Sequence, residues 1–304
     1  MSDIDLTSSF DYEKLIEEEK QHYSDIEVTD DLKEGGAHAS TSWSYYWQHV
    51  DRTISRGPFA NVPEWLGTTY GARAEPIEIL SLGSGYCGNE LDFARRIDAP
   101  CRIHCTDIND DIFAQAKEVA ANEGLDVSFR TEDLNFIDIE PDRYHMIFAH
   151  AVLHHVINLE RLYDQISRGL KSDGVLHLVE VVGQNRKLIW DENEAFANQL
   201  LEHLPEQVIG DHRLHVLPEE EGMEGIRQEE IMPLMESRFS PVYEHCHGAF
   251  MRCFCTHPTF LDLIHPNEPV AKRCLDFLIQ CDDAAVRNKI LRPLEIWGVY
   301  RPKT

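Results

Sequence analysis

Residues 76–182 alternate short apolar runs with amphipathic segments, and no other feature of the sequence restricts the fold as strongly. Five of the runs have the length and the Ile, Val and Leu content of buried strands. These runs are residues 77–82, 102–106, 127–130, 145–149 and 175–181. The order predicts parallel strands joined by crossover helices, which is an α/β fold built on a Rossmann-like sheet.

The sequence on either side of this region lacks the alternation. Residues 1–74 carry helical charge runs and an aromatic cluster, and they predict a helical leader or cap. We therefore divide the chain into this leader and a second domain at 75–304, which contains the predicted sheet. Five further elements are expected after Gly183: helices near 188–203, 228–237 and 270–280, and strands near 249–255 and 294–300.

A GxGxxG turn directly follows the first predicted strand and runs from Gly83 to Gly88. Its glycines let the backbone turn sharply and approach a ligand, and the helix that follows offers free amide donors. The second strand ends in Asp107, 19 residues after Gly88, which is close to the spacing at which a carboxylate binds a ribose. The pattern predicts a ribose-containing cofactor and at this point leaves a nicotinamide-dependent oxidoreductase open.

Later motifs distinguish between nucleotide cofactors. Asp133 and Leu134 follow the third strand, and they offer a carboxylate for an adenine amine and an apolar side chain for its ring face. The fourth strand ends at Ala149 and His150, and a Leu-His-His segment follows. The segment Leu170-Lys171-Ser172-Asp173-Gly174 precedes the fifth strand.

In this order the motifs resemble the class I S-adenosylmethionine-dependent methyltransferase superfamily over roughly residues 76–183. The resemblance implies that S-adenosylmethionine is the cofactor. It also implies that the glycine loop backs the methionine moiety, that Asp107 holds the ribose and that Asp133 holds the adenine amine. The implied cofactor-binding residues are Gly83, Ser84, Gly85, Asp107, Ile108, Asp133, Leu134 and Ala149.

Two positions depart from the pattern of the superfamily. Ser81 stands where an acid is common, and Cys87 stands where many members have a third glycine. Glu78 is a candidate to replace the acid. The resemblance further implies a seven-stranded sheet with an antiparallel last strand, with insertions at 184–248 and 256–292 around the final hairpin.

Methyl transfer from a sulfonium needs positioning and desolvation of the acceptor, and a base where the acceptor carries a proton. His150 and His154 are the catalytic candidates, because they follow the strand end at which ligands bind in such sheets. The alternative is that His154 packs against the next helix. Tyr46 and Glu180 are candidate substrate contacts; Tyr46 can instead belong to the packing of the leader, and Glu180 can instead be solvated.

Composition restricts the partners. A formal net charge of -26 repels phosphate backbones and anionic lipid surfaces, so we expect a small-molecule substrate, no nucleic acid and no membrane. Neither a secretory signal nor a transit peptide is recognisable, and the scattered cysteines favour reduced thiols, so the expected location is cytoplasmic. We predict no metal, although Cys253, Cys255 and His257 would share one strand face, and we keep a homodimer through the leader open.

The sequence thus predicts a methyltransferase acting on an oxygen or nitrogen atom of a small metabolite. An NAD(P)-dependent oxidoreductase is the alternative enzyme, but it leaves Asp133 and the late hairpin without a role. A non-catalytic, methyltransferase-like binding protein is the other alternative, which the departures at Ser81 and Cys87 favour slightly.

Overall fold

The computed structural model describes residues 12–25, 41–219, 222–261 and 264–303. Seven strands in these ranges form one sheet. They are β1 (Ile77–Leu82), β2 (Cys101–Asp107), β3 (Val127–Thr131), β4 (Tyr144–His150), β5 (Leu170–Val181), β6 (Phe239–His247) and β7 (Glu295–Pro302). The five predicted central strands are confirmed, and β5 begins before its predicted start because Leu170 already pairs with Tyr144.

Helices flank the sheet and form the leader. They are α1 (Tyr12–Asp25), α2 (Thr41–Ile54), α3 (Val62–Tyr70), α4 (Gly88–Arg96), α5 (Ala114–Glu123), α6 (Leu159–Gly169), α7 (Asp191–Leu201), α8 (Glu206–Ile209), α9 (Gln228–Arg238), α10 (Met251–Thr256), α11 (Pro258–Leu261) and α12 (Pro269–Arg287). Single 3-10 turns lie at Asp111–Phe113, Leu153–His155 and Asn185–Lys187. None of the helices in the described ranges combines the length and apolarity that a membrane span requires.

The strands are ordered β3-β2-β1-β4-β5-β7-β6. Strands β1 to β5 pair in parallel, whereas β7 is antiparallel to both β5 and β6. The expected seven-stranded sheet with an antiparallel last strand is therefore confirmed. Because β1 and β4 are central neighbours and the chain crosses from β3 to β4, their carboxyl ends form the edge at which such sheets bind ligands.

The predicted strand at 249–255 is wrong. These residues enter helix α10, in which Met251, Phe254 and Cys255 are buried at helical rather than alternating spacing. The hairpin partner of β7 is instead β6, so the insertion predicted at 184–248 contains a strand of the sheet. It also follows that Cys253, Cys255 and His257 do not share a strand face.

Both faces of the sheet are apolar, which explains why its strands read as continuous hydrophobic runs. In β1, Ile77 and Ile79 contribute to the core on the face covered by α2, α3, α4 and α12. Leu80 and Leu82 contribute to the core on the other face, with α6 and α9. The leader helix α2 is thus part of the main hydrophobic core.

Candidate functional site

A cavity of about 310 Å³ lies at the carboxyl ends of β1, β2, β3 and β4. The loops that follow these strands form its walls, and α1 of the leader contributes Glu19 and Lys20. Of the eight residues predicted to bind the cofactor, seven line it: Gly83, Ser84, Gly85, Asp107, Ile108, Asp133 and Leu134. Ala149 is fully buried in β4, and the residues that follow it, His150 and Ala151, reach the cavity instead.

The glycine loop turns sharply, and two of its glycines adopt a left-handed backbone. Gly83 has φ 59° and Gly85 has φ 51°. A Cβ atom at Gly83 would lie 2.1 Å from Val152 Cγ2, so only glycine fits between the loop and the β4 segment. A Cβ at Gly85 would meet nothing within 4 Å, so this part of the loop faces open space that a ligand can occupy.

The Asp107 carboxylate is held by backbone amides at the end of β2. Its Oδ2 accepts a hydrogen bond from Gly85 N at 3.0 Å, and its Oδ1 accepts one from Asn109 N at 3.0 Å. Burial raises the pKa of Asp107, and these amide donors oppose that rise. Since each carboxylate oxygen has two lone pairs, the group keeps capacity for two hydroxyl donors of a ribose.

The Asp133 carboxylate connects the cavity to the leader. Its Oδ2 accepts a hydrogen bond from Tyr12 Oη at 2.7 Å, and its Oδ1 accepts one from Asn135 N at 2.9 Å. The Asn135 side-chain amide also donates to Tyr12 Oη at 2.8 Å. Helix α1 therefore closes over the part of the cavity where the sequence predicts an adenine.

His150 ends β4 and lines the cavity. Its Nδ1 lies 2.7 Å from Asn89 Nδ2, at the start of α4. Burial lowers the pKa of His150, with the positive charge of Arg252 as a lesser cause in the same direction and Glu180 opposing it. The ring is therefore neutral near pH 7, which is the form that can accept a proton.

Comparison with known proteins finds a family similar to the central part of the chain. A family model described as "Methyltransferase domain" matches residues 79–174, which hold the glycine loop, Asp107, Asp133 and His150. Over these residues, about a third of the chain, the protein is similar to a methyltransferase domain. The match ends at Gly174, within β5, and does not include the leader or the β6–β7 hairpin.

Solved structures similar to this chain have low sequence identity to it. A putative sarcosine dimethylglycine methyltransferase from Galdieria sulphuraria is 14% identical, with 79% of this chain and 84% of that chain covered and a TM-score of 0.46. A geranyl diphosphate methyltransferase in complex with GPP and sinefungin is 13% identical, with 79% and 76% covered and a TM-score of 0.46. The cyclase SpnF is 18% identical, with 84% and 82% covered and a TM-score of 0.47. The search of curated proteins gives no match.

Ser81 and Cys87, the two positions that depart from the superfamily pattern, have local explanations in the structure. Cys87 adopts φ 61°, a left-handed conformation that glycine reaches at lower cost. The Ser81 hydroxyl donates to Glu90 Oε1 at 2.6 Å, so a carboxyl group from α4 lies beside the position of the missing acid. Glu78 is not its replacement, because its carboxylate pairs with Arg102 and His104 on the sheet.

Three candidate residues, His154, Glu180 and Tyr46, lie outside the cavity lining. His154 is buried, and its Nδ1 lies 2.5 Å from Glu180 Oε1. The other oxygen of Glu180 accepts hydrogen bonds from the amides of Val152 and Leu153, so this side chain is buried rather than solvated. Tyr46 is buried in the core, with its hydroxyl 3.1 Å from His247 Nδ1.

Several cavity residues were not predicted from the sequence. Glu19 and Met223 come from parts of the chain far from the motifs, and the amide of Met223 donates to Glu19 Oε2 at 2.9 Å. Of these residues, Asn135 could have been predicted from the sequence. An Asp-x-Asn pattern after a strand commonly forms a turn in which the aspartate carboxylate accepts a hydrogen bond from the backbone amide two residues later.

Proposed function

We propose that this chain binds S-adenosylmethionine in the cavity and transfers its methyl group to an oxygen or nitrogen atom of a small metabolite. One observation carries the proposal: the glycine loop, the Asp107 and Asp133 carboxylates and the His150 ring line a single cavity. Each of these groups matches one part of that cofactor or of the methyl acceptor, and they lie in the order that the chemistry needs.

The residues fit the proposed cofactor. The open space in front of Gly85 suits the methionine moiety, since any other residue would place a side chain there. Asp107 would accept the ribose hydroxyls, and Asp133 would accept the adenine amine beside the Tyr12 hydroxyl. When bound, S-adenosylmethionine supplies a sulfonium methyl group that is open to in-line displacement.

His150 would act as the general base. For this role the Nδ1–H of His150 must donate to the side-chain oxygen of Asn89, so that the lone pair on Nε2 can take the proton of the acceptor. This requires the side-chain amide of Asn89 to be rotated so that its nitrogen and oxygen exchange places. Burial keeps the ring neutral before the reaction. A positioned histidine of this kind contributes roughly 10²- to 10⁴-fold to the rate.

The acceptor class follows from charge and enclosure. At a net charge of -26 the protein repels nucleic acids, and α1 closes the cavity on the Asp133 side. A small metabolite can enter a cavity of about 310 Å³, which supports it as the acceptor class.

Calorimetric titration tests the cofactor. We expect S-adenosylmethionine to bind one to one and NADH not to bind. Asp107→Asn should weaken S-adenosylmethionine binding at least about tenfold, since hydrogen bonds to an ionised acceptor are worth roughly 1.5–3 kcal/mol. Asp110→Asn is the matched control, because Asp110 is an exposed neighbour that does not line the cavity. Preferential binding of NADH would favour the oxidoreductase instead.

Transfer of a labelled methyl group tests the acceptor class. The chain is incubated with methyl-labelled S-adenosylmethionine and a cell extract that has been separated into a small-molecule filtrate and a macromolecular fraction. We expect product in the filtrate, and its formation should be lost in His150→Gln while cofactor binding remains. Label that enters only the macromolecular fraction would contradict a small metabolite. Cofactor binding without any transfer would favour the non-catalytic binding protein.

A further inference from the structure

A buried group of two histidines and one glutamate lies at one wall of the cavity, which His155 lines. His154 and His155 come from the 3-10 turn after β4, and Glu224 comes from the segment before α9. They are 3%, 9% and 5% exposed, respectively. One ligand atom from each residue lies within 4.8 Å of the other two, so all three can reach a common centre.

Each imidazole is oriented by a carboxylate on its Nδ1. Glu180 Oε1 lies 2.5 Å from Nδ1 of His154, and Glu19 Oε1 lies 2.7 Å from Nδ1 of His155. This arrangement is typical of metal-bound histidines, whose second nitrogen is commonly held by a carboxylate that fixes the tautomer and the ring. Here it directs both Nε2 atoms toward the same third residue.

The spacing around Glu224 suits a metal ion better than hydrogen bonds. Nε2 of His154 lies 3.6 Å from Glu224 Oε2, and Nε2 of His155 lies 3.7 Å from Glu224 Oε1. Both distances exceed the normal range for N–H···O hydrogen bonds. Two ligands that each lie about 2.1 Å from one tetrahedral ion are about 3.4 Å apart, which is close to the observed separations.

Lys187 occupies the position of a cation in this cluster. Its ammonium group bonds to Glu224 Oε2, while its side chain remains 30% exposed and has a route to solvent. The cluster therefore already accommodates a positive charge beside the Glu224 carboxylate.

We propose that His154, His155 and Glu224 bind a divalent transition-metal ion of the zinc type, with Lys187 leaving the site when the ion enters. Two imidazole nitrogens favour zinc-like ions over magnesium or calcium, which prefer oxygen ligands. Glu19 belongs both to this cluster and to the cavity wall, so the ion would fasten α1 against the cofactor cavity. The proposal departs from the sequence-based expectation of no metal and does not depend on the proposed methyl transfer.

Metal titration of the full-length protein tests the proposal. The protein is freed of metal with a chelator, and Co²⁺ and then Zn²⁺ are added. We expect one equivalent of Co²⁺ to give the intense visible absorption of a four-coordinate site, and Zn²⁺ to displace it. Glu224→Gln and His154→Gln should each weaken Zn²⁺ binding at least about 100-fold, and Glu180→Gln roughly 10- to 100-fold.

Two further variants make the result unambiguous. His104→Gln is the matched control, because His104 is also a buried histidine on a glutamate, at 2.7 Å from Glu78, but it is outside the cluster; its Zn²⁺ affinity should be unchanged. Lys187→Met should bind Zn²⁺ more tightly than the wild type, since the competing ammonium group is removed. This variant still tests the proposal if one of the ligand variants fails to fold. Absence of stoichiometric binding, equal binding in Glu224→Gln, or unchanged affinity in Lys187→Met would overturn the proposal.

Discussion

Gly83 and Gly85 both have positive φ, yet their surroundings differ, and the difference can be measured. Alanine at Gly85 should cost about 1–2 kcal/mol for the left-handed backbone alone. Alanine at Gly83 should cost about 1–3 kcal/mol more, because its Cβ would lie 2.1 Å from Val152 Cγ2. Urea denaturation of the two variants checks this order. Equal destabilisation would show that Val152 moves away freely.

Glu90 is a buried carboxyl group whose ionisation opposes folding. Burial raises its pKa from 4.5 to about 7, with the hydrogen bond from Ser81 acting in the opposite direction. The folded state therefore holds this proton more tightly than the unfolded state, and stability falls as the pH rises from about 4.5 to about 7. The loss amounts to about 3 kcal/mol above that window.

The variant Glu90→Gln should remove this pH dependence, because a glutamine can accept the Ser81 hydrogen bond without a charge. We expect it to be more stable than the wild type at pH 8 and to approach it near pH 5. Denaturant unfolding at several pH values measures the difference. Glu118→Gln, which changes an exposed carboxylate on the adjacent α5, is the control and should follow the wild type. Parallel curves for Glu90→Gln and wild type would refute the argument.

The residues that the sequence could predict share one property. Asp107 ends β2 and Asp133 lies two residues after β3, so the strand and its parallel pairing determine where each carboxylate lies. Tyr12 and Glu19 reach the same cavity only through the docking of α1, and Tyr12 is 121 positions from its partner Asp133. Nothing in the local pattern around Tyr12 specifies that contact, and tertiary packing decides it.

Among the secondary-structure elements, strands that are buried on both faces were the easiest to predict from the sequence. Strands β1 and β4 read as apolar runs because both of their sides are covered. Strand β6 is at the sheet edge, is largely exposed or half-buried and contains Pro241, so its sequence lacks that signal. The apolar residues of α10 gave a false strand because a six-residue helix is too short to show its period.

Few apolar contacts attach helix α1 to the rest of the described chain. Its contribution to cofactor binding can therefore be measured separately from its contribution to stability. Leu15 and Ile16 pack on a small cluster of Ile157 and Met223. If the proposed function is right, Leu15→Ala combined with Ile16→Ala should leave the melting temperature nearly unchanged. The same double variant should accelerate S-adenosylmethionine dissociation roughly tenfold, which corresponds to a loss of about 1.4 kcal/mol in the free energy with which α1 closes over the cofactor. Stopped-flow displacement measures the rate.

The control for α1 changes its solvent-facing side. Glu13→Ala combined with Glu17→Ala replaces two exposed residues of the same helix and should leave the dissociation rate as in the wild type. An equal acceleration in both double variants would assign the effect to helix formation rather than docking. No acceleration in either would mean that α1 does not retain the cofactor.

For the molecule as a whole, charge sets the response to salt. Fifty-four acidic residues face 28 basic ones, so 26 carboxylates remain unmatched even if every lysine and arginine is paired. Exposed pairs such as Arg95–Glu123 and Arg292–Glu192 are worth at most about 1 kcal/mol each and lose strength in salt. The repulsion among the unmatched carboxylates outweighs the attraction of these exposed pairs, and salt screens that repulsion as well.

We therefore expect added salt to stabilise this protein. Raising NaCl from about 20 mM to about 500 mM shortens the screening length from roughly 20 Å to roughly 4 Å, so distant carboxylates stop repelling while buried pairs persist. The melting temperature should rise by roughly 3 °C or more for a chain of this size. Thermal unfolding at stepped NaCl concentrations measures it, and glucose of equal osmolality separates screening from solute exclusion. A melting temperature that falls with salt would mean that the ion pairs outweigh the repulsion.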